Sequence, residues 1–180
     1  MPLPYNDFRE VTRMSEQTPD ANPYGTPSTT GPEPVPSYQN YVNALMRTLL
    51  RVPGLSSVVG KRLLILHVTG RKSGKVYDVP VAYTRHDGEI LIGTRLLPWV
   101  KNIRKDTPVQ VSMGGPRRTA DGEVATDNES VMRLYEIIAN DNPTNAKFNG
   151  IGFNADGSPN KADIYQTWQQ GGVVIRLTPR

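Results

Sequence analysis

The stretch Thr69-Gly70-Arg71-Lys72-Ser73-Gly74-Lys75 holds the densest chemistry in this sequence. It offers three cations, a hydroxyl and the exposed amides of a glycine-bracketed turn, all suited to phosphate or carboxylate oxygens. Residues 61–75 carry Lys61, Arg62, Arg71, Lys72 and Lys75 and no acid, a local charge of +5 in a chain whose net charge is +4. The basic excess is therefore local, which favours an anion site over a uniformly basic protein. A phosphate-binding P-loop is excluded. That motif ends in Gly-Lys-Ser/Thr and opens a helix, whereas here Lys75 precedes Val76 and a strand pattern. The plainer alternative for the stretch is a solvated hairpin turn.

The flanks must position this turn. Leu63–Val68 and Val76–Thr84 are rich in β-branched and aromatic residues and read as two strands of a hairpin. Arg85-His86-Asp87-Gly88 gives a second turn, Asp-Gly being a strong hairpin signal, and Glu89–Thr94 a third strand. Pro98–Lys105 reads as a short helix, 107–113 as a strand, Gly114-Gly115-Pro116 as a turn, and Arg117–Ala125 as a strand broken near Asp121-Gly122. Thr126 and Glu129 form a capping-box pair for a helix that buries Val131, Leu134, Tyr135 and Ile138. Residues 141–163 read as a long loop, Ile164–Gln169 as a helical turn and Val173–Leu177 as a last strand. Six closely spaced strands with few helices predict a mostly β domain with peripheral helices, a small barrel rather than a βαβ sheet.

Residues 1–37 hold eight of the 16 prolines, five acids and two bases, with no apolar period. They read as an extended or disordered arm that is removable without unfolding the rest, leaving a domain over 38–180. Tyr38, Tyr41, Val42, Leu45, Met46 and Leu49 follow a helical spacing, consistent with a helix packed on the barrel or with a peripheral membrane contact through 38–52. No apolar run reaches the roughly 20 residues of a membrane helix, and the first ten residues lack the basic start and apolar core of a secretory signal. A cytoplasmic location is expected, with membrane association as the alternative. The chain has no cysteine, and its two histidines, His67 and His86, lack metal-ligand spacing. His67 reads as a core-edge residue. No paired carboxylate, Ser/His/Asp set or metal cluster is evident, and the basic stretch lacks the interleaved aromatics of a nucleic-acid site.

Three ordered matches carry a family resemblance across roughly residues 40–180. Val68 to Lys75, with Val79-Pro80-Val81 and Asp87-Gly88 after it, resembles the basic turn of deazaflavin-dependent nitroreductases. Pro98-Trp99-Val100-Lys101-Asn102-Ile103 is similar to that family's Pro-Trp-x-x-Asn-Leu segment, and Tyr165-Gln166-Thr167-Trp168 to its Tyr-Gln-Ser-Trp ending. The resemblance implies a split β-barrel of the FMN-binding kind, usually dimeric, that binds coenzyme F-420. This cofactor is an 8-hydroxy-5-deazaflavin with a phospholactyl-oligoglutamate tail, and FMN is the alternative. By the resemblance, Arg71, Lys72, Ser73 and Gly74 hold the tail. Tyr77, Asp78, Val79, Pro80, Val81 and Ala82 line the cofactor groove, joined by Gly93, Thr94, Arg95, Pro98, Trp99 and Asn102. Tyr165 is implied on the substrate side, with Trp168 beside it; the acceptor's proton comes from Tyr165, the catalytic candidate, or from water, and plain core packing is the alternative for both aromatics. Arg95-Leu96-Leu97 stands where the family has a longer Gly-Gly loop. The implied activity is hydride transfer from reduced deazaflavin to a quinone, nitroaromatic or activated alkene. A non-catalytic protein of the same fold that binds deazaflavin or an apolar ligand is the alternative. No metal and no nucleic-acid partner are expected.

Overall fold

The computed structural model describes residues 21–32, 62–113 and 116–180. The expected helix and membrane contact at 38–52, and the Gly114-Gly115 turn, lie outside the described residues. Among the described residues seven strands form one sheet: β1 (Leu63–Thr69), β2 (Val76–Ala82), β3 (Thr84–His86), β4 (Glu89–Arg95), β5 (Val109–Ser112), β6 (Arg118–Ala125) and β7 (Gly172–Pro179). Their order is β2-β1-β5-β6-β7-β4-β3, and every pairing is antiparallel. The two edge strands of this order, β2 and β3, are separated in the chain by Tyr83 alone. The sheet must therefore curl until its edges meet. Tyr83 is the corner, its N–H donating to the Arg62 carbonyl at 2.9 Å. The result is a split β-barrel.

Alternation decides what fills it. Leu64, Leu66 and Val68 of β1, Val79 and Val81 of β2, and Ile90 and Ile92 of β4 project inward, joined by Trp99, Val100, Ile103, Val111, Ile175 and Leu177. A second apolar layer covers the outside of β4 and β7. Leu91 and Val174 meet helix α1 (Asn128–Asp141), α2 (Pro143–Phe148) and α3 (Lys161–Gln169) there. Val131, Leu134, Tyr135 and Ile138 of α1 are buried in this layer, the face that the helical spacing implied.

Several boundaries differ from the sequence expectation. The strand expected over Val76–Thr84 breaks at Tyr83, where the barrel closes. The helix expected over Pro98–Lys105 is one 3-10 turn, Val100–Asn102, because Ile103 turns extended and re-enters the barrel core. β6 is not interrupted: Asp121 and Gly122 pair with Thr178 and Leu177. Its glycine answers to packing, since a Cβ there would lie 2.8 Å from Ile103 Cγ2. The cap of α1 is Asp127, one residue beyond Thr126, and accepts the Ser130 N–H at 2.9 Å. The span 141–163 is not a plain loop. Asn142 Oδ1 accepts from the Asn145 N–H and Pro143 opens α2, the usual Asn cap followed by proline at a first helical position.

Residues 21–32 have no regular secondary structure but lie along α3 and the segment before it. Asn22 Nδ2 donates to the Ala162 carbonyl at 2.8 Å, and Gln166 Nε2 donates to the Thr29 carbonyl at 3.1 Å. Asp163 is fully buried. One carboxylate oxygen accepts the N–H groups of Ser28 and Thr29; the other accepts the Ser28 hydroxyl and the Gly152 N–H. A buried carboxylate without a cation is held by four such donors.

Candidate functional site

The basic turn is a tight loop between β1 and β2. Gly70 N–H donates to the Lys75 carbonyl at 2.9 Å and Gly74 N–H to the Gly70 carbonyl at 2.8 Å. Gly74 sits at φ 64, a conformation that glycine adopts without the Cβ clash other residues suffer. Ser73 Oγ accepts the Lys75 N–H at 3.3 Å, which leaves its own hydrogen available to a ligand. Arg71, Lys72, Ser73, Gly74 and Lys75 are all exposed. Arg62, Arg104, Lys105, Lys161, Arg176 and Arg180 are each within salt-bridge distance of a carboxylate, whereas Arg71, Lys72 and Lys75 have none among the described residues. Among the described residues no carboxylate compensates the charge of the turn, which leaves it available to an anion.

The turn is fastened to a second segment. Asn102 Oδ1 accepts the Arg71 N–H at 3.3 Å, and Asn102 Nδ2 reaches the Pro98 carbonyl at 3.5 Å. Asn102 and Trp99 share the 3-10 turn, closed by the Asn102 N–H on the Trp99 carbonyl at 3.1 Å. Arg71, Lys72, Ser73, Pro98, Trp99 and Asn102 thus come together. Lys101, exposed and next to Asn102, joins this basic rim. The sequence reading missed it, although it stands inside the Pro-Trp-Val-Lys-Asn segment.

Two strand edges open toward this rim. Among the described residues β2 pairs on one side only, with β1. β3 pairs with β4 no further than Leu91, so Ile92–Arg95 has β7 on one side and, among the described residues, no strand on the other. Both edges run from the Tyr83 corner toward the end of the barrel where β1 meets the basic turn, and their backbone amides and carbonyls can face a flat ligand. The side chains divide. Val79 and Val81 fill the barrel core. Tyr77 is half-buried, with Lys75 Nζ 5.8 Å from its ring centre. Asp78, Pro80 and Ala82 take the opposite face of β2, and the Asp78 carboxylate is bound to His67, 2.6 Å away. Thr94 is buried, Arg95 is half-buried, and Gly93 turns its Cα to α1, where a Cβ would lie 2.6 Å from the Tyr135 ring. The Tyr135 hydroxyl donates to the Thr94 carbonyl at 3.0 Å, so Gly93 is small because Tyr135 needs the space.

Strand edges that offer backbone donors and acceptors, beside a cationic rim, suit a carbonyl-bearing ring with an anionic tail. Trp99 adds a specific observation: its indole N–H is buried and has no hydrogen-bond partner among the described residues. Such a group costs about 1–3 kcal/mol until an acceptor meets it.

Tyr165 and Trp168 are not brought to this rim. They belong to the helical layer on the far side of β7. Tyr165 is buried between Tyr24 and Trp168, with ring centres at 5.8 and 5.3 Å, and the Trp168 indole donates to the Thr126 carbonyl. No group of three or more His, Cys, Asp or Glu able to hold a metal occurs among the described residues. No helix among them is long and apolar enough to cross a membrane.

Barrel, basic turn and open edges together define a split-barrel protein of the flavin and deazaflavin oxidoreductase class. The model of the F-420H(2)-dependent quinone reductase family matches residues 37–150, and the chain belongs to that family. Among solved structures it is similar to a conserved hypothetical protein from Mycobacterium tuberculosis, at 18% identity and TM-score 0.50, over 68% of this chain and 76% of that one. It is also similar to an F-420-H2-dependent reductase, at 18% identity and TM-score 0.44, over 64% and 94%. A heme storage protein from Vibrio cholerae follows at 9% identity and TM-score 0.45, over 77% and 90%. No curated protein matches the chain.

Proposed function

We propose that this protein is a reductase that passes a hydride from reduced coenzyme F-420 to a quinone, and to comparably electron-poor nitroaromatics or activated alkenes. The observation that carries the reading is the turn Arg71-Lys72-Ser73, whose cations have no carboxylate partner among the described residues, fastened through Asn102 to Trp99 at the mouth of two strand edges. Arg71 and Lys72, with Lys75 and Lys101 beside them, bind the phosphate and glutamate carboxylates of the tail. Ser73 and the turn amides donate to the phosphate. The edge backbones of Tyr77–Ala82 and Gly93–Arg95 and the Trp99 indole N–H fix the ring. The bound reduced cofactor supplies the hydride; the chain supplies orientation and a fixed electrostatic setting. The proton that completes the acceptor comes from water at the open mouth, because Tyr165 lies in the helical layer. We further infer that the chain works as a homodimer in the cytoplasm.

Titration of the full chain with F-420 and with FMN, at low and high salt, tests the reading. F-420 binds more tightly, and its affinity falls as salt screens the turn. The loaded protein then oxidises reduced F-420 on addition of a quinone. Equal or tighter FMN binding at the same ionic strength would refute the cofactor assignment.

A further inference from the structure

On the outer face of β2-β1-β5, opposite the side chains that fill the barrel, three side chains from three strands form a connected set. His67 Nδ1 lies 2.6 Å from Asp78 Oδ1, and His67 Nε2 lies 2.9 Å from Ser112 Oγ. The residues are 11 and 45 positions apart in the chain, which hides the set from sequence inspection. The register explains it. His67 pairs directly with Asp78 across β1 and β2, while Ser112 pairs with Ile65, two residues from His67 on the same face.

The roles follow from donor and acceptor chemistry. An ionised Asp78 carboxylate only accepts, so Nδ1 carries the imidazole hydrogen. In the neutral ring Nε2 is then an acceptor, and Ser112 must donate its hydroxyl hydrogen to it. The His67 side chain is 6% exposed and held at both nitrogens, so its tautomer and orientation are fixed. This is the nucleophile, base and orienting-acid relationship of acyl-transfer sites, which is recognised by geometry and not by chain order.

The geometry points to a second reactive centre in which Ser112 is an activated nucleophile toward esters of short apolar acyl groups. Ser112 Oγ attacks the ester carbonyl and forms the O–C bond while its proton passes to His67 Nε2. The carbonyl carbon's bond to the leaving oxygen then breaks, and the proton moves from Nε2 to that oxygen. Water, deprotonated by His67 in turn, attacks the acyl-Ser112, releasing the acid and restoring the hydroxyl. The acyl group has a place to lie: Pro80 and Ile65 continue the row of Ser112 across β2 and β1, and Ile65 is 40% exposed. Asp78 is the positioning residue. No hydride donor is involved, so the proposal stands apart from the reductase reading.

The test uses the full chain without cofactor. It is treated with an alkyl fluorophosphonate, the adduct is mapped by peptide mass, and p-nitrophenyl butyrate hydrolysis is followed in parallel. Wild type acquires one adduct, on Ser112, and hydrolyses the ester. Ser112→Ala abolishes both. His67→Gln and Asp78→Asn slow labelling roughly a hundredfold, at unchanged circular dichroism. Either of these two suffices should the other fail to fold. An unlabelled wild type, an adduct only on another hydroxyl, or an undiminished rate in a folded His67→Gln or Asp78→Asn protein overturns the proposal.

Discussion

Asn102 accepts the backbone N–H of Arg71 across 31 residues of sequence, and so locks the anion-binding turn to the segment that carries Trp99. The link is polar and peripheral, so it governs position more than stability. A neutral hydrogen bond of this kind contributes about 1 kcal/mol, which converts to roughly fivefold in affinity. Asn102→Ala should weaken F-420 binding by about that factor while the thermal midpoint moves little. Titration and a melt on the same preparation check both halves. A lowered midpoint with unchanged affinity would make Asn102 a structural residue only.

Asp163 governs the packing of residues 21–32. Its carboxylate is fully buried, and both of its oxygens accept from backbone N–H groups. Asp163→Asn therefore turns an NH2 toward donors and is nearly as costly as Asp163→Ala. Each should destabilise the fold by on the order of 3 kcal/mol. Removal of residues 1–32 should also lower the thermal midpoint, because it strips three donors from that carboxylate. The composition of the arm implied a tail removable without unfolding the barrel, with no part in its stability. A truncated chain that melts with the full one would restore that view.

What was legible in the sequence was local. The apolar, β-branched run Leu63–Val68 and the Asp87-Gly88 turn announced β1 and β4, because strand composition and two-residue hairpins are decided within a few positions, whereas Arg85 and His86, read as part of that turn, lie in β3. The basic turn was legible because its charge is contiguous. Hidden were the relationships made by register and packing. His67 looked like a core-edge residue, yet its partners come from β2 and β5. The partners of Asp163 in the arm are about 135 residues away, and no local pattern marks them. Tyr165 shows the limit of reading by motif. The Tyr-Gln-Thr-Trp stretch is recognisable, but Tyr24 and Trp168 enclose its tyrosine in the helical layer.

The α1 cap ties part of the acid stability to an exposed carboxylate, Asp127. The Ser130 backbone N–H, and then its hydroxyl, hold the Asp127 carboxyl below its ordinary value. The unfolded chain binds that proton more readily, so the cap's contribution is complete above the ordinary carboxylate range and is lost as pH falls through the lowered folded value. Asp127→Asn keeps a capping oxygen without the charge. Wild type should melt above Asp127→Asn at neutral pH, and the gap should close in strong acid. Melts at pH 7 and pH 2 compare the two, and a gap that does not change with pH would show that the charge is irrelevant.

The cations of the turn and the paired arginines of the sheet should respond in opposite ways. Arg176 donates to Glu89 at 2.7 and 3.1 Å from two nitrogens and stands across β4 and β7. About a third of its side chain is exposed, so solvent screens the pair and the loss in Arg176→Ala should stay near 0.5–1 kcal/mol. Cofactor affinity should not move, since Arg176 is remote from the basic rim. Arg71 and Lys72 have no carboxylate partner among the described residues, so Arg71→Ala and Lys72→Ala should leave stability unchanged. If they grip the tail, each loses a charge-assisted hydrogen bond worth roughly 1.5–3 kcal/mol, a ten- to hundredfold loss of F-420 affinity. Turnover at saturating cofactor should survive, because the tail contributes equally to ground and transition states. Titrations, melts and steady-state rates on the three variants separate these outcomes. Unchanged affinity in both turn variants would leave Thr69–Lys75 a solvated hairpin turn and send the search for the cofactor's anion contacts elsewhere.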